Sequence, residues 1–197
     1  MSAPPAPPLL LASTSPQRRA ILEQLGIPFD AVAPRYEEHD PPDADPLALV
    51  RDHARGKARS VADEAGDRPV LGVDTTVVCG GRLYGKAGGP EEAAEMLDAL
   101  AGSTHEVVSG LCLLSRGWEE LEHEVTRVTF RPLTARDIAA YVSTGEWRNR
   151  AGAYAIQGVG ASLVERIDGD YLNVVGLPAA LLVRILATRL AGTYGFG

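Results

Sequence analysis

Residues 9–33 read LLLASTSPQRRAILEQLGIPFDAVA, and this stretch decides the class of fold. Leu9 to Ala12 is an apolar run with the length of a buried strand, and Ser13-Thr14-Ser15-Pro16 breaks it at once. Ser15 is placed to cap a helix whose first position is Pro16, a residue with a helical φ and no N–H to leave unpaired. The helix is predicted from Pro16 to about Leu25, where Gly26 supplies a left-handed cap and Pro28 forbids continuation. Phe29 to Ala33 then alternates as a strand. Strand, tight loop, helix, strand is how an α/β sheet protein begins.

Downstream, residues 36–45 are acidic and proline-rich and read as a loop. From Pro46 to Ala65 the positions Leu47, Val50, Ala54, Ala58 and Val61 recur at helical spacing, which puts Arg55 and Lys57 on or beside the polar side. Residues 70–78, VLGVDTTVV, form an apolar strand whose one anion, Asp74, stands where a buried strand would carry Val or Ile. A lone buried carboxylate is costly, so Asp74 needs a partner. Gly80-Gly81 marks a turn, Pro90 opens a helix that Gly102 ends, and strands follow at 105–114 and 122–130 across Ser115-Arg116-Gly117. Thr134 caps a helix from Ala135 to Thr144, closed by Gly145. A glycine-rich stretch, 152–160, leads to a strand at 162–167, and a last helix runs from Pro178 to about Leu190. Parallel and antiparallel signals occur together, which points to a mixed twisted β-sheet flanked by helices.

The 197 residues are enough for a core without disulfides, and the expected organisation is a proline-rich frayed tail over 1–8 followed by one domain over 9–197. A net charge of -7 argues against broad binding to nucleic acid, which needs a basic surface. The apolar run after the tail is too short for a signal or membrane helix, and mean hydropathy is -0.03; a cytoplasmic protein away from the membrane is expected. Cys79 and Cys112 lie in apolar stretches without CxxC spacing and read as reduced core residues.

Ser13, Ser15 and Arg18 gather hydroxyls, free backbone N–H groups and a cation at a helix start, a ready place for an anion. A capped helix with solvated arginines fits the same residues. Asp74, Glu38, Lys57 and Lys86 are the residue types that triphosphate cleavage needs: carboxylates for a divalent ion and for water, cations for phosphate oxygens. Asp74 read alone also fits a carboxylate bonded to a neighbouring turn, and Glu38 a solvated loop residue. Lys86 lies in YGKAGGP, which is not a GxxxxGK[ST] phosphate loop, so a P-loop kinase or ATPase is excluded. The histidines His39, His53, His105 and His123 have no close metal spacing, and no GxSxG elbow accompanies the serines.

The segments LASTSPQRRAILEQLGIPF, VLGVDTTVV, GKAGGPEEAAEML, TRVTFRPL, RAGAYAIQGVGASLVERIDGDY and NVVGLP together resemble, in this order, the Maf family of nucleotide pyrophosphatases, from about Leu9 to Leu186. The resemblance implies a Maf/Ham1-like (ITPase-like) α/β fold with two lobes around a cleft. It also implies a divalent metal cation, Mg2+ or Mn2+, and hydrolysis of a nucleoside triphosphate to monophosphate and diphosphate. Asp74 matches the family's proposed proton acceptor, Ser13 and Arg18 its phosphate-binding motif, and Glu38, Lys57 and Lys86 its other polar cleft positions, with Glu38 and Asp74 as metal ligands. Thr75 and Gln157 resemble the branch acting on dTTP and UTP; Gln17 stands where that branch has arginine and the 7-methyl-GTP branch has tryptophan. Ala87 and Arg150 replace a proline and a lysine of the family pattern. A homodimer is within the family's range. Two other readings are a nucleotide-binding regulator of cell division and a Ham1-type enzyme for inosine or xanthosine triphosphate.

Overall fold

A computed structural model describes residues 6–41 and 44–196. Its strands are β1 (Leu9–Ala12), β2 (Phe29–Val32), β3 (Val70–Cys79), β4 (Arg82–Tyr84), β5 (Thr104–Ser115), β6 (Trp118–Phe130) and β7 (Val164–Asp168). They form one seven-stranded mixed sheet in the order β2-β1-β3-β5-β6-β7, with β4 paired to β3. β1 runs parallel to both β2 and β3, whereas β3–β4 and β6–β7 are antiparallel. The helices are α1 (Pro16–Gln24), α2 (Pro46–Arg59), α3 (Pro90–Leu100), α4 (Ala135–Thr144), α5 (Tyr171–Val175) and α6 (Ala179–Arg189). The mixed α/β sheet with flanking helices is the expected class. Residues 1–5 of the expected tail lie outside the described residues, and the carbonyl of Pro7 accepts a 2.9 Å hydrogen bond from the Tyr194 hydroxyl.

The chain divides into two compact units. The first comprises Met1–Asp74, Ser109–Glu124 and Gly176–Gly197. Its α1 begins as the sequence demands: Ser15 caps it with extended backbone, Pro16 follows, and Gly26 takes φ +67 beyond the end. Helix α2 is capped by Asp45, whose carboxylate accepts from the Ala48 N–H at 2.9 Å. It stops at Arg59, six residues short of the expected end, because the chain turns through Ser60 into a 3-10 turn at Ala62–Glu64. The Ser60 hydroxyl draws both chain directions together there, donating to the Lys57 carbonyl at 2.8 Å and accepting from the Arg35 N–H at 3.0 Å. Ala54, Ala58 and Val61 join Leu10, Ala12, Val70 and Cys112 in a fully buried cluster. Small residues dominate this interface, and two glycines carry it to backbone contact. A methyl on Gly72 of β3 would overlap the Ala54 carbonyl oxygen and lie 2.8 Å from the Ala58 nitrogen; one on Gly110 of β5 would overlap the Val50 carbonyl and lie 2.7 Å from the Arg51 nitrogen. No side chain separates α2 from the strands at these two points.

The second unit comprises Thr75–Val108 and Val125–Val175. Its core joins Leu97 and Leu100 of α3, Ile138 and Tyr141 of α4, and Val107, Val128, Phe130 and Leu163. Thr134 and Asp137 form a reciprocal capping box at the start of α4, and Gly145 ends the helix with φ +74. The strand expected from Ser162 begins at Val164, because residues Gly158–Leu163 form a 3-10 helix first.

Within this core His105, 1% exposed, takes a 2.9 Å hydrogen bond with the Tyr154 hydroxyl and packs edge-on against Phe130 and Tyr154. Its other ring nitrogen has no partner among the described residues, and burial pushes the imidazole pKa down to about 4. The unfolded chain binds this proton near pH 6.5 and the folded chain resists it until about pH 4. The stabilisation is therefore complete above pH 6.5 and is lost as pH falls toward 4, amounting to about 3 kcal/mol. The unfolding free energy from urea titrations should fall by that amount between pH 7 and pH 4, and His105→Phe should flatten this part of the profile.

Candidate functional site

The site in the first unit starts where β1 ends. Ser13 is buried, and its hydroxyl oxygen accepts from the Ser15 N–H and from the Arg18 guanidinium, each at 3.2 Å. Arg18 also donates through Nε to the Gly176 carbonyl at 2.9 Å. The guanidinium is thereby fixed against the start of its own helix rather than left in solvent. Burial lowers its pKa, while the negative charges of Asp74 and Glu38 act the other way. The Ser15 hydroxyl donates to the Gln17 side-chain oxygen at 3.2 Å, which orients that amide.

Asp74 ends the first segment of this unit, 9% exposed on an interior strand of the sheet. It has the partner its burial demands. The Lys57 ammonium donates to Asp74 Oδ1 at 2.5 Å and lies 2.5 Å from Glu38 Oε1, so one buried cation joins two carboxylates. Lys57 was expected beside the polar side of α2, yet it is 7% exposed. The ammonium is tolerated on the buried side because two anions meet it there. His53 lies one helical turn earlier, with Nδ1 3.4 Å from Asp74 Oδ2 and Nε2 3.3 Å from the His39 carbonyl oxygen.

Burial alone would push the Asp74 carboxyl up; the His53 hydrogen bond, the Lys57 charge and hydrogen bond, and the Arg18 charge instead hold it well below the usual carboxylate range. The Asp74 hydrogen bond raises the His53 pKa against the opposing effect of burial. Asp74 is thus ionised at any working pH, among Lys57, Arg18 and His53.

Glu38, His53 and Asp74 each offer a ligand atom, all within 4.8 Å of one another. Two converging carboxylates are the hard oxygen donors that magnesium or manganese takes, so the donor set fits a divalent ion. Cations beside it suit an anion bound next to that ion.

Ser13, Ser15, Gln17, Arg18, Glu38, Lys57 and Asp74 therefore come together in the first unit. Thr75, Lys86 and Gln157 belong to the second. There Lys86 is exposed and forms an antiparallel bridge with Ala151, while the Gly152 N–H donates to the Tyr84 and Gly85 carbonyls at 3.0 Å, so the GKAGG and RAGAY segments meet. Gln157, exposed, precedes the 3-10 helix, whose Val159 and Gly160 amides donate to the two carboxylate oxygens of Glu146 at 3.0 Å each.

His53 and Glu146 were not among the expected residues. A signal for His53 existed: at 53 and 57 two basic residues fall i, i+4 on the stripe carrying Val50, Ala54 and Ala58. Glu146 offered none, since its partners lie more than a dozen residues on.

A buried, cation-paired carboxylate on an interior strand, beside a serine–arginine helix start, defines an α/β protein whose polar site suits an anion and a divalent cation together. The chain belongs to the Maf family, described as Maf-like protein, whose sequence profile matches residues 8–189. Over 180 residues it is 48% identical to a dTTP/UTP pyrophosphatase of Gloeobacter violaceus, covering 91% of this chain and 94% of that protein. A dTTP/UTP pyrophosphatase of Moorella thermoacetica is 49% identical over 181 residues, covering 91% and 93%. One of Deinococcus radiodurans is 43% identical over 197 residues and the full length of both chains. No helix among the described residues is long and apolar enough to cross a membrane.

Proposed function

We propose that this chain is a cytoplasmic nucleoside triphosphate pyrophosphatase that cuts dTTP and UTP between the α and β phosphates, clearing excess or altered nucleotides. The observation that carries this reading is the Lys57 ammonium seated between Glu38 and Asp74, within 4.8 Å-spaced donor atoms that suit a divalent ion. Names of relatives covering nine-tenths or more of both chains support the substrate class.

In this reading Glu38 and Asp74 hold magnesium or manganese, which supplies Lewis acidity toward the phosphate oxygens and the attacking water. Asp74 orients that water toward the α phosphorus and takes its proton as the new P–O bond forms. The bond from the α phosphorus to the bridging oxygen breaks, and diphosphate departs with that oxygen. A carboxylate held by two donors is a weak base, so positioning is the larger part of its contribution. Arg18, Ser13 and Ser15 bind phosphate oxygens, and Lys57 and Lys86 neutralise charge on the leaving group. Gln157 and Thr75 read the pyrimidine edge; Gln17 keeps a hydrogen-bond donor where the dTTP/UTP branch has arginine.

Purified protein with magnesium or manganese, given dTTP, UTP, CTP, 7-methyl-GTP and ITP separately, is expected to release diphosphate and monophosphate fastest from dTTP and UTP. Chelation with EDTA should abolish turnover, and restored metal should return it. Release of orthophosphate, or nucleotide binding with no turnover on the whole panel, overturns the reading.

A further inference from the structure

The loop after β2 carries Glu38, and it is fastened to α2 at two points that bracket that residue. On one side the Tyr36 ring lies on the helix backbone at Gly56, so closely that a methyl there would overlap the ring carbons. On the other side the His39 carbonyl meets His53 Nε2 at 3.3 Å, with Asp40 Oδ1 3.5 Å from the same nitrogen. Tyr36 also packs edge-on against the His53 ring, centroids 5.7 Å apart. Nδ1, on the far side of the ring, faces Asp74 Oδ2 at 3.4 Å. The His53 side chain is 4% exposed, whereas that of Glu38 is 41% exposed. An exposed glutamate in a loop has no fixed position of its own; here the loop is fixed on either side of it.

We infer that His53 is a positioning residue that sets the spacing of Glu38 and Asp74 by joining the loop backbone to the Asp74 carboxylate through its two ring nitrogens. The ring suits this task because, with both nitrogens protonated, it presents one N–H to the His39 carbonyl and one to the Asp74 carboxylate from a single rigid frame. An aliphatic residue of similar size would fill the space and hold neither group. The ring's two nitrogens both face oxygens of this chain, so it supports the carboxylates rather than adding a third ligand. Groups that orient metal ligands in this way commonly change metal affinity 10- to 100-fold when removed. The consequence for the ion rests on the pyrophosphatase reading; the fastening of the loop does not.

The test compares the full chain with His53→Leu and His53→Gln, the latter retaining a donor for the His39 carbonyl. In His53→Leu, amide deuterium exchange across residues 37–40 should speed up by about tenfold or more while α1 is unchanged, and Mn2+ titrated into nucleotide-free protein should bind roughly tenfold more weakly. His53→Gln should recover most of both losses, a rescue that a space-filling role would not give. Unchanged loop exchange and unchanged Mn2+ affinity in His53→Leu overturn the inference, as does equal loss in both variants. If the unaltered protein turns over no nucleotide yet the loop loosens in His53→Leu alone, the pyrophosphatase reading falls and the role of His53 stands.

Discussion

Asp74→Asn is expected to reduce diphosphate release by roughly 10³-fold or more while leaving the protein folded. Asparagine has nearly the same shape, so β3 and the contact with α2 are kept. What disappears is the negative charge that faces Lys57, His53 and Arg18. The buried ammonium of Lys57 retains Glu38, so it is not stranded, and the loss of stability should be about 1–2 kcal/mol rather than the larger loss of a wholly unpaired buried charge. For a chain of this length that is a fall in Tm of roughly 2–8 °C. Because the folded Asp74 carboxyl titrates below its unfolded value, its contribution is present above about pH 4 and fades as pH drops further. The Tm gap between parent and variant should therefore be widest at neutral pH and shrink on acidification below that point. Turnover that survives the substitution within tenfold would remove Asp74 from the centre of the mechanism.

The ends of most elements were legible because they are set locally. Ser15 with Pro16, Gly26, Thr134 and Gly145 act through backbone groups within a turn of themselves, and each took its expected place. The acidic strand β6 was legible only in part: WEELEHEV at its start has no apolar face, yet residues 118–121 belong to the strand. Its acids are neutralised from far along the chain, Glu119 by Arg59 and Glu120 by Arg189, which no local pattern conveys. The site divides in the same way. Asp74 stood out because a strand period made its burial evident, and the need for a partner followed. The partner's place did not follow: Lys57 was expected on or beside the polar side although position 57 falls on the stripe of Val50, Ala54 and Ala58, because a cation is admitted to that stripe only when Glu38 and Asp74 arrive from elsewhere to meet it.

Gly72→Ala should damage stability and turnover together, lowering stability by about 3 kcal/mol and Tm by roughly 6–12 °C. The added methyl meets the Ala54 carbonyl oxygen and the Ala58 backbone, atoms that cannot rotate away as a flexible side chain would. Relief requires α2 to lift from the sheet. His53 and Lys57 ride on that helix, and Asp74 lies two residues beyond Gly72 on the same face of β3, so the movement also opens the contacts that position the carboxylate. Turnover should fall by about 100-fold, the scale expected when a catalytic group is displaced by an ångström. Gly110→Ala should destabilise by a similar amount through Val50, one turn before His53, with a smaller loss of turnover because the Lys57 end of the helix stays seated. Gly85→Ala, where the methyl would meet nothing within 4 Å, should leave Tm unchanged. A Gly72→Ala protein with parental Tm and activity would mean that α2 yields freely, and that close approach of helix to strand is not what brings Lys57 to Asp74.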